Sequence, residues 1–254
     1  MPPATTIDEV ILALDEIIAH AKRDASRLGY FAALYRRVTI KIKEGIASGI
    51  YEDPERMEQL DVIFANRYLT AYRAYVDSAS LNGMSLPEAW RQVFDAAGKW
   101  WPVTGQHLVM GINVHINLDL GIAAAETVGP AGVSDIKNDF EKINSVLKSM
   151  VNEVEKDLAK IWWPLHIVDF LAGKLDEHLA RFGIEYARDH AWRVAEKLSN
   201  TPLENWASEI DTVDKEVLKI GQIIEKPSFM ARLLLFVMRV TEFKRPAQIT
   251  AILE

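Results

Sequence analysis

Residues 105–126 read Gly105-Gln-His-Leu-Val-Met-Gly-Ile-Asn-Val-His115-Ile-Asn-Leu-Asp-Leu-Gly-Ile-Ala-Ala-Ala-Glu126. The stretch reads as a mostly apolar helix, and yet it carries two histidines, two asparagines and an aspartate. Helical neighbours lie three or four residues apart. His107, Gly111, His115 and Asp119 are spaced by fours and form one slowly drifting stripe, with Asn113 and Asn117 in a second polar line beside it. A polar group buried without a partner costs about 1–3 kcal/mol. These side chains therefore call for neighbouring helices, a ligand or a metal.

Working outward, nearly every segment repeats apolar residues at three- and four-residue spacing, and alternating strand-like runs are scarce. A first helix is expected from Ile7 to Ser26, capped by Thr5 or Thr6, with Asp8 and Glu9 near its positive end. A second covers Tyr30 to Ser48 and stops at Gly49. Asp53-Pro54 is an N-cap followed by proline, opening a helix to about Ser78. Ser85-Leu86-Pro87-Glu88 forms a capping box for a short helix ending near Gly98. The Trp100-Trp101-Pro102 break precedes the 105–126 helix, which Gly129-Pro130 closes, and Ser134 caps a long helix to Ile161.

A second corner, Trp162-Trp163-Pro164, leads into residues 165–200, read as two helices divided near Gly173 or Gly183. Thr201-Pro202-Leu203-Glu204 is another capping box, for a helix to Glu225, and Pro227-Ser228 opens the last helix. The chain is thus expected to be all-α: a multi-helix bundle of about nine or ten helices. No Ser/Gly/Pro-rich linker interrupts it, so residues 1–254 are read as a single domain.

The net charge of −7 argues against nucleic-acid binding, since phosphate neutralisation needs a basic face. The cluster of Arg36, Arg37, Lys41 and Lys43 is too small to reverse that sign. With no cysteine, disulfides, thiolate chemistry and cysteine-ligated zinc or iron–sulfur sites are excluded, and a cytoplasmic setting is expected. The N-terminal residues show neither a basic nor an apolar leader region. The greasy run Phe229 to Val240 is short and contains Arg232 and Arg239, so it reads as a buried helix rather than a membrane span.

Three constellations carry candidate chemistry. His115 and Asp119, at i and i+4, can reach one divalent cation such as zinc, iron or manganese from one helix face. His107 lies about 12 Å further along the axis and suits an acid/base role better than a shared ligand. Against this stands the plain alternative of core polar residues satisfied by neighbouring helices. In the next constellation, Asp61, Phe64, Arg67 and Tyr68 share a helix, and Arg67 is placed to hold a carboxylate or phosphate. The bland alternative is a surface arginine beside a core-edge tyrosine.

The last constellation is Glu185, Arg188, Asp189, His190, Trp192 and Arg193, from which Asp189 is a candidate third metal ligand. A solvated face of ion pairs explains the same residues. His166 with Asp169, and Asn138 with Asp139, are weaker groups of the same kind, and His20 and His178 read as exposed. The tryptophan pairs at 100–101 and 162–163 are either walls of an aromatic pocket or corners packed under prolines. No nucleophile elbow, phosphate loop, dinucleotide fingerprint or paired Glu-x-x-His pattern is present.

The run from His107 to Leu120, together with Tyr51-Glu-Asp-Pro54, Phe64-Ala-Asn-Arg-Tyr68, Asn138-Asp-Phe140 and Arg188 through Trp192, resembles domain of unknown function family 5995. That resemblance covers most of the chain. It implies a bacterial, helical, single-domain protein with Asn113, His115, Asn117 and Asp119 at the site centre, and it implies no activity. A looser likeness, confined to one helix, is to zinc-dependent phospholipase C enzymes, which place His and Asp four apart on a buried helix. It is a geometric analogy and supplies no function.

Three functional readings follow. The first is a metal-dependent, hydrolase-like enzyme: His115, Asp119 and Asp189 hold the ion, and His107 and Arg67 act in catalysis. In it, Asn113, Asn117, Tyr68 and Asp61 contact a small-molecule substrate. The second is a metal-independent pocket that binds or cyclises a small apolar metabolite. The third is a structural or interaction protein whose polar stripe only packs helices.

Overall fold

The computed structural model describes residues 2–77, 86–129, 132–162 and 175–254, and these contain helices and no strand. Helix α1 spans Ile7–Arg23, and the Thr6 hydroxyl accepts from the Glu9 amide at 3.2 Å, so Thr6 is its cap. Its buried stripe is Val10, Leu14, Ile17 and Ile18. Helix α2 (Gly29–Ala47) pairs with α1, and Gly49 beyond its end takes a positive φ of 71°. Helix α3 (Pro54–Val76) starts where the sequence placed it, with Asp53 Oδ1 accepting from the Arg56 amide at 3.0 Å.

Helix α4 spans Glu88–Ala97. Ser85 lies outside the described residues. The Asp214 carboxylate, from a distant helix, accepts from the amides of Glu88 (2.7 Å) and Ala89 (3.0 Å). A carboxylate at the positive end of a helix is favourable wherever it comes from. The capping group here is supplied in space rather than in sequence.

The decisive stretch is one 25-residue rod, Thr104–Val128. It comprises α5 (Thr104–Val114), a π-helical segment His115–Leu120, and α6 (Gly121–Val128). By length and composition it could cross a membrane, yet its apolar window is 89% buried inside the fold. Helices α2, α3 and α4 pack on it, as do two later helices, α8 (Leu175–Ser199) and α9 (Trp206–Glu225). Close approach at two points depends on glycine. A Cβ on Gly111 would stand 2.5 Å from the Phe31 ring, and one on Gly121 would stand 2.5 Å from the Ala191 carbonyl. Only a residue without a side chain lets α2 and α8 sit that near the rod.

Ser134 falls in a 3-10 turn (Val133–Ile136) that leads into α7, Lys137–Ile161. Helix α8, Leu175–Ser199, runs unbroken through Gly183; Gly173, Trp163 and Pro164 lie outside the described residues. The expected capping box at residues 201–204 does not form. Thr201 instead donates its hydroxyl to the Lys197 carbonyl, and a 3-10 turn (Leu203–Asn205) precedes α9, Trp206–Glu225.

Helix α10 (Phe229–Thr241) is not the last, because α11 (Pro246–Leu253) follows and packs on α1 and α2. Nor is α10 a buried helix, as the sequence suggested: none of its residues is buried.

Candidate functional site

The centre of the rod is polar, and its polar atoms divide into a satisfied half and an unsatisfied half. In the satisfied half, Asn113 donates to the Val217 carbonyl of α9 at 3.1 Å, and Asn117 donates to Asn113 Oδ1 at 3.0 Å. Both asparagines are buried, and neither lines the cavity at His115 described below. Their amides fasten α9 to the rod.

Asp119 is the hub of the other half, at 1% exposure. Its Oδ2 accepts from Trp90 Nε1 (2.9 Å) and faces His115 Nδ1 (3.0 Å), and its Oδ1 accepts from Arg67 Nε (3.2 Å). A carboxylate only accepts, so Nδ1 of His115 carries the proton and Nε2 carries the lone pair. Burial pushes the imidazole pKa down, against the raising effect of Asp119, so the ring is neutral. Asp119 fixes the tautomer by accepting from the Nδ1–H, which leaves Nε2 as the bare nitrogen. π-helical turns recur at functional sites, and this one carries both partners.

His115 Nε2 is buried and has no hydrogen-bond partner among the described residues. The ring is stacked on Phe64, with centroids 3.7 Å apart, and meets the Tyr35 ring edge-on at 4.4 Å. It lines a cavity of about 250 Å³ whose walls are almost wholly apolar. Leu34, Val38 and Ile42 come from α2, Met57 and Leu60 from α3, and Ile143, Leu147, Met150, Val154 and Leu158 from α7.

Asp61 also lines this cavity. Its Oδ2 is buried without a partner among the described residues, and burial, helped by the charge of Glu58, raises its pKa to about 7. Glu155 and Arg188 are in the lining as well, and among the titratable groups bordering this mostly apolar space are a neutral imidazole with a free lone pair and a carboxyl that stays protonated up to neutral pH. The Tyr35 hydroxyl, buried and unpartnered, belongs to another residue of the lining.

The remaining expected site residues lie elsewhere. Arg67 bridges Asp119 and Glu126, whose carboxylate it meets at 3.3 Å, so its charge is already paired. It borders a separate polar cleft of about 370 Å³ with Asn66, Thr70, Asp119 and Glu126. His107 is buried against Tyr30 (ring centroids 5.7 Å apart) and borders a different, very small cavity together with Tyr68. Burial, reinforced by the charges of Arg27 and Arg239, drives the His107 pKa down to about 3. The Phe31 ring borders both this cavity and the one at His115.

Asp189 is exposed on α8, and Arg188 instead reaches inward, donating to the Phe140 carbonyl with its guanidinium 4.3 Å from the Phe140 ring. The Glu185 side chain and residues His166 and Asp169 lie outside the described residues, as does the His178 side chain. Asp139, a weaker candidate, accepts from the amides of Glu52 (2.8 Å) and Asp53 (2.9 Å), just ahead of α3.

For a metal, these placements are unfavourable. Asp119 spends its oxygens on three donors, and among the described residues no three His, Asp or Glu side chains gather as an ion would require. Nor, among the described residues, do tryptophans wall the cavity at His115. Trp101 stacks on Phe236 of α10 at 6.0 Å, and Trp162 donates to Thr241 at 2.6 Å. Two contributions escaped sequence reasoning: the Trp90 indole on Asp119, and the α7 wall. The buried stripe of α7 was visible as periodicity, but nothing in it marked a cavity rather than a core.

Fold and site together define an all-helical protein built around a buried carboxylate–histidine pair beside an apolar cavity. A family model described as a family of unknown function, DUF5995, matches residues 7–227, and the chain belongs to that family. No curated protein and no solved structure matches the chain.

Proposed function

We propose that the protein binds a small, largely apolar molecule in the cavity at His115, with one polar group of that molecule meeting His115 Nε2. The observation that carries this reading is the unpartnered Nε2 on an apolar wall, held in one tautomer by Asp119. A convergent polar group in an otherwise apolar cavity is how small-molecule sites fix orientation. The cavity volume of about 250 Å³ is roughly eight times the volume of a water molecule in the liquid. That suits a small molecule and not a polymer.

The chemistry available to such a ligand is proton transfer. His115 has a lone pair to accept a proton, and Asp61 near neutral pH has a proton to give. If both reach the same ligand, one proton leaves it and one returns, so the product is an isomer of the substrate and no co-substrate is consumed. Pairs of titratable groups driven apart in pKa by their surroundings commonly divide acid and base roles in this way.

Trp90 lies 5.6 Å from Phe31 and 6.0 Å from His115, ring to ring, so its fluorescence reports on occupancy. The test is a titration with straight-chain alcohols of about ten carbon atoms, sized to the cavity and carrying a hydroxyl that can donate to Nε2, with and without EDTA. A saturable change insensitive to EDTA, and weakened about tenfold in a cavity-filling Leu147→Trp variant, is expected. The added indole shifts only the baseline, since affinity is read from the concentration dependence. Absence of any saturable change overturns the reading. Binding abolished by EDTA overturns it in favour of a metal-dependent hydrolase.

A further inference from the structure

Helix α10 is the most apolar exposed element of the described structure. Phe229 is 79% exposed, Met230 71% and Leu233 54%, with Leu234, Phe236, Val237 and Val240 also exposed, and Phe243 just beyond the helix is 84% exposed. Phe229, Leu233, Phe236, Val237 and Val240 recur at three- and four-residue spacing and share one face. Contiguous apolar surface of this kind marks an interaction site. The helix lies beyond the 7–227 family match, and no residue of it is buried.

Charge indicates what the face meets. The chain as a whole carries −7, yet Lys226, Arg232, Arg239, Lys244 and Arg245 cluster around this helix against two acids, Glu242 and, directly before Lys226, Glu225, which Lys99 already pairs. Arg239 pairs with Glu242 at 2.7 Å and lies 5.2 Å from the Trp100 ring. The other four are exposed, three of them flanking the two ends of the apolar face. Trp100 itself is half exposed beside α10, an amphipathic ring suited to the boundary between lipid tails and water.

We propose that α10 is a docking helix for an anionic lipid surface. It lies in the interface, with Phe229, Leu233, Val237 and Phe243 among the acyl chains and Lys226, Arg232, Lys244 and Arg245 against phosphates. Apolar insertion plus basic flanks is what holds interfacial helices, and the basic contribution falls with salt. A protein–protein contact needs no such ring of cations around its apolar centre. The inference is independent of the cavity.

The test is co-sedimentation of the full chain with vesicles of phosphatidylglycerol and phosphatidylcholine, compared with phosphatidylcholine alone. The expected result is binding to the anionic vesicles at least about fivefold stronger than to neutral ones, and weakened by salt. Leu233→Ser combined with Phe229→Ser, and separately Lys244→Glu combined with Arg245→Glu, each reduce it by a similar factor. Near-ultraviolet circular dichroism confirms that the variants fold; both charged side chains are exposed, and Arg245 meets Ile249 of α11 through its backbone carbonyl, which the substitution keeps. Failure of the wild-type protein to sediment with anionic vesicles, or equal binding to both kinds, overturns the proposal. So does a concentration-dependent dimer that Leu233→Ser dissociates, because a second copy then covers the face.

Discussion

Nδ1 of His115 lies 3.0 Å from Oδ2 of Asp119, four residues on within the same π-helical segment, and both side chains are buried. The pair divides the rod's polar centre into two environments. On one side Asp119 gathers Trp90 and Arg67; on the other, His115 presents Nε2 beside an apolar space. The arrangement orients a histidine more than it stabilises the fold, since an apolar core of equal volume often serves stability as well.

Removing the hub should be severe. Asp119→Ala leaves the Arg67 guanidinium, the Trp90 indole and the His115 Nδ1–H without their acceptor. Truncating one partner of a buried charged network costs about 3–5 kcal/mol, read by urea unfolding. Asp119→Asn, which keeps one acceptor oxygen, should cost less. A loss under about 1 kcal/mol in Asp119→Ala contradicts the hub.

Asp61 makes stability fall as pH rises. Its folded pKa, about 7, stands above its unfolded value near 3.8, so the folded state holds a proton that the unfolded chain has released. The contribution is fully present below about pH 4 and is lost as pH rises through about 7, to the extent of roughly 4 kcal/mol. Asp61→Asn should therefore match the wild type near pH 4 and exceed it in stability near pH 8. Identical pH profiles for the two proteins remove Asp61 from the account.

His107 acts in the opposite sense. Its folded pKa of about 3 lies below the ordinary value of 6.5, so the unfolded chain takes up the proton first on acidification. Stability from this group is present above about pH 6.5 and is lost as pH falls toward 3. His107→Phe should flatten the acid limb of a urea midpoint-versus-pH curve. An unchanged acid limb shows that other groups govern it.

Gly111→Ala tests the approach of α2 to the rod. The added methyl gains up to about 1 kcal/mol of helix propensity but stands 2.5 Å from the Phe31 ring. Overpacking costs about 1–3 kcal/mol, so thermal unfolding should show net destabilisation. Phe31→Leu in the same chain should recover part of it. A variant as stable as the wild type means that Phe31 can move aside freely.

The helical class was legible because apolar spacing is a local property. The Asp53-Pro54 start, the Thr6 cap and the stop before Gly49 were equally local and appear as read. What could not be read was long-range. Asp214 caps α4 from 125 residues away in sequence, and Trp90 reaches Asp119 across 29. The polar stripe was visible, but its division was not: spacing placed Asn113, His115, Asn117 and Asp119 together, while only packing decides which of them meet α9 and which border a cavity. The greasy run at 229–240 misled for the same reason. Composition records that a helix has an apolar face and is silent on what covers it.

The central claim is that His115 Nε2 is the polar contact of an apolar ligand, and nitrogen-15 resonance of the histidine rings tests it most directly. In the free protein His115 should show a protonated Nδ1 and a bare Nε2 at neutral pH. Adding 1-decanol, whose hydroxyl can donate to that lone pair, should shift the Nε2 resonance saturably and leave Nδ1 in place. A His115 Nε2 resonance that stays fixed while other cavity residues respond, or an Nε2 already protonated in the free protein, contradicts the account.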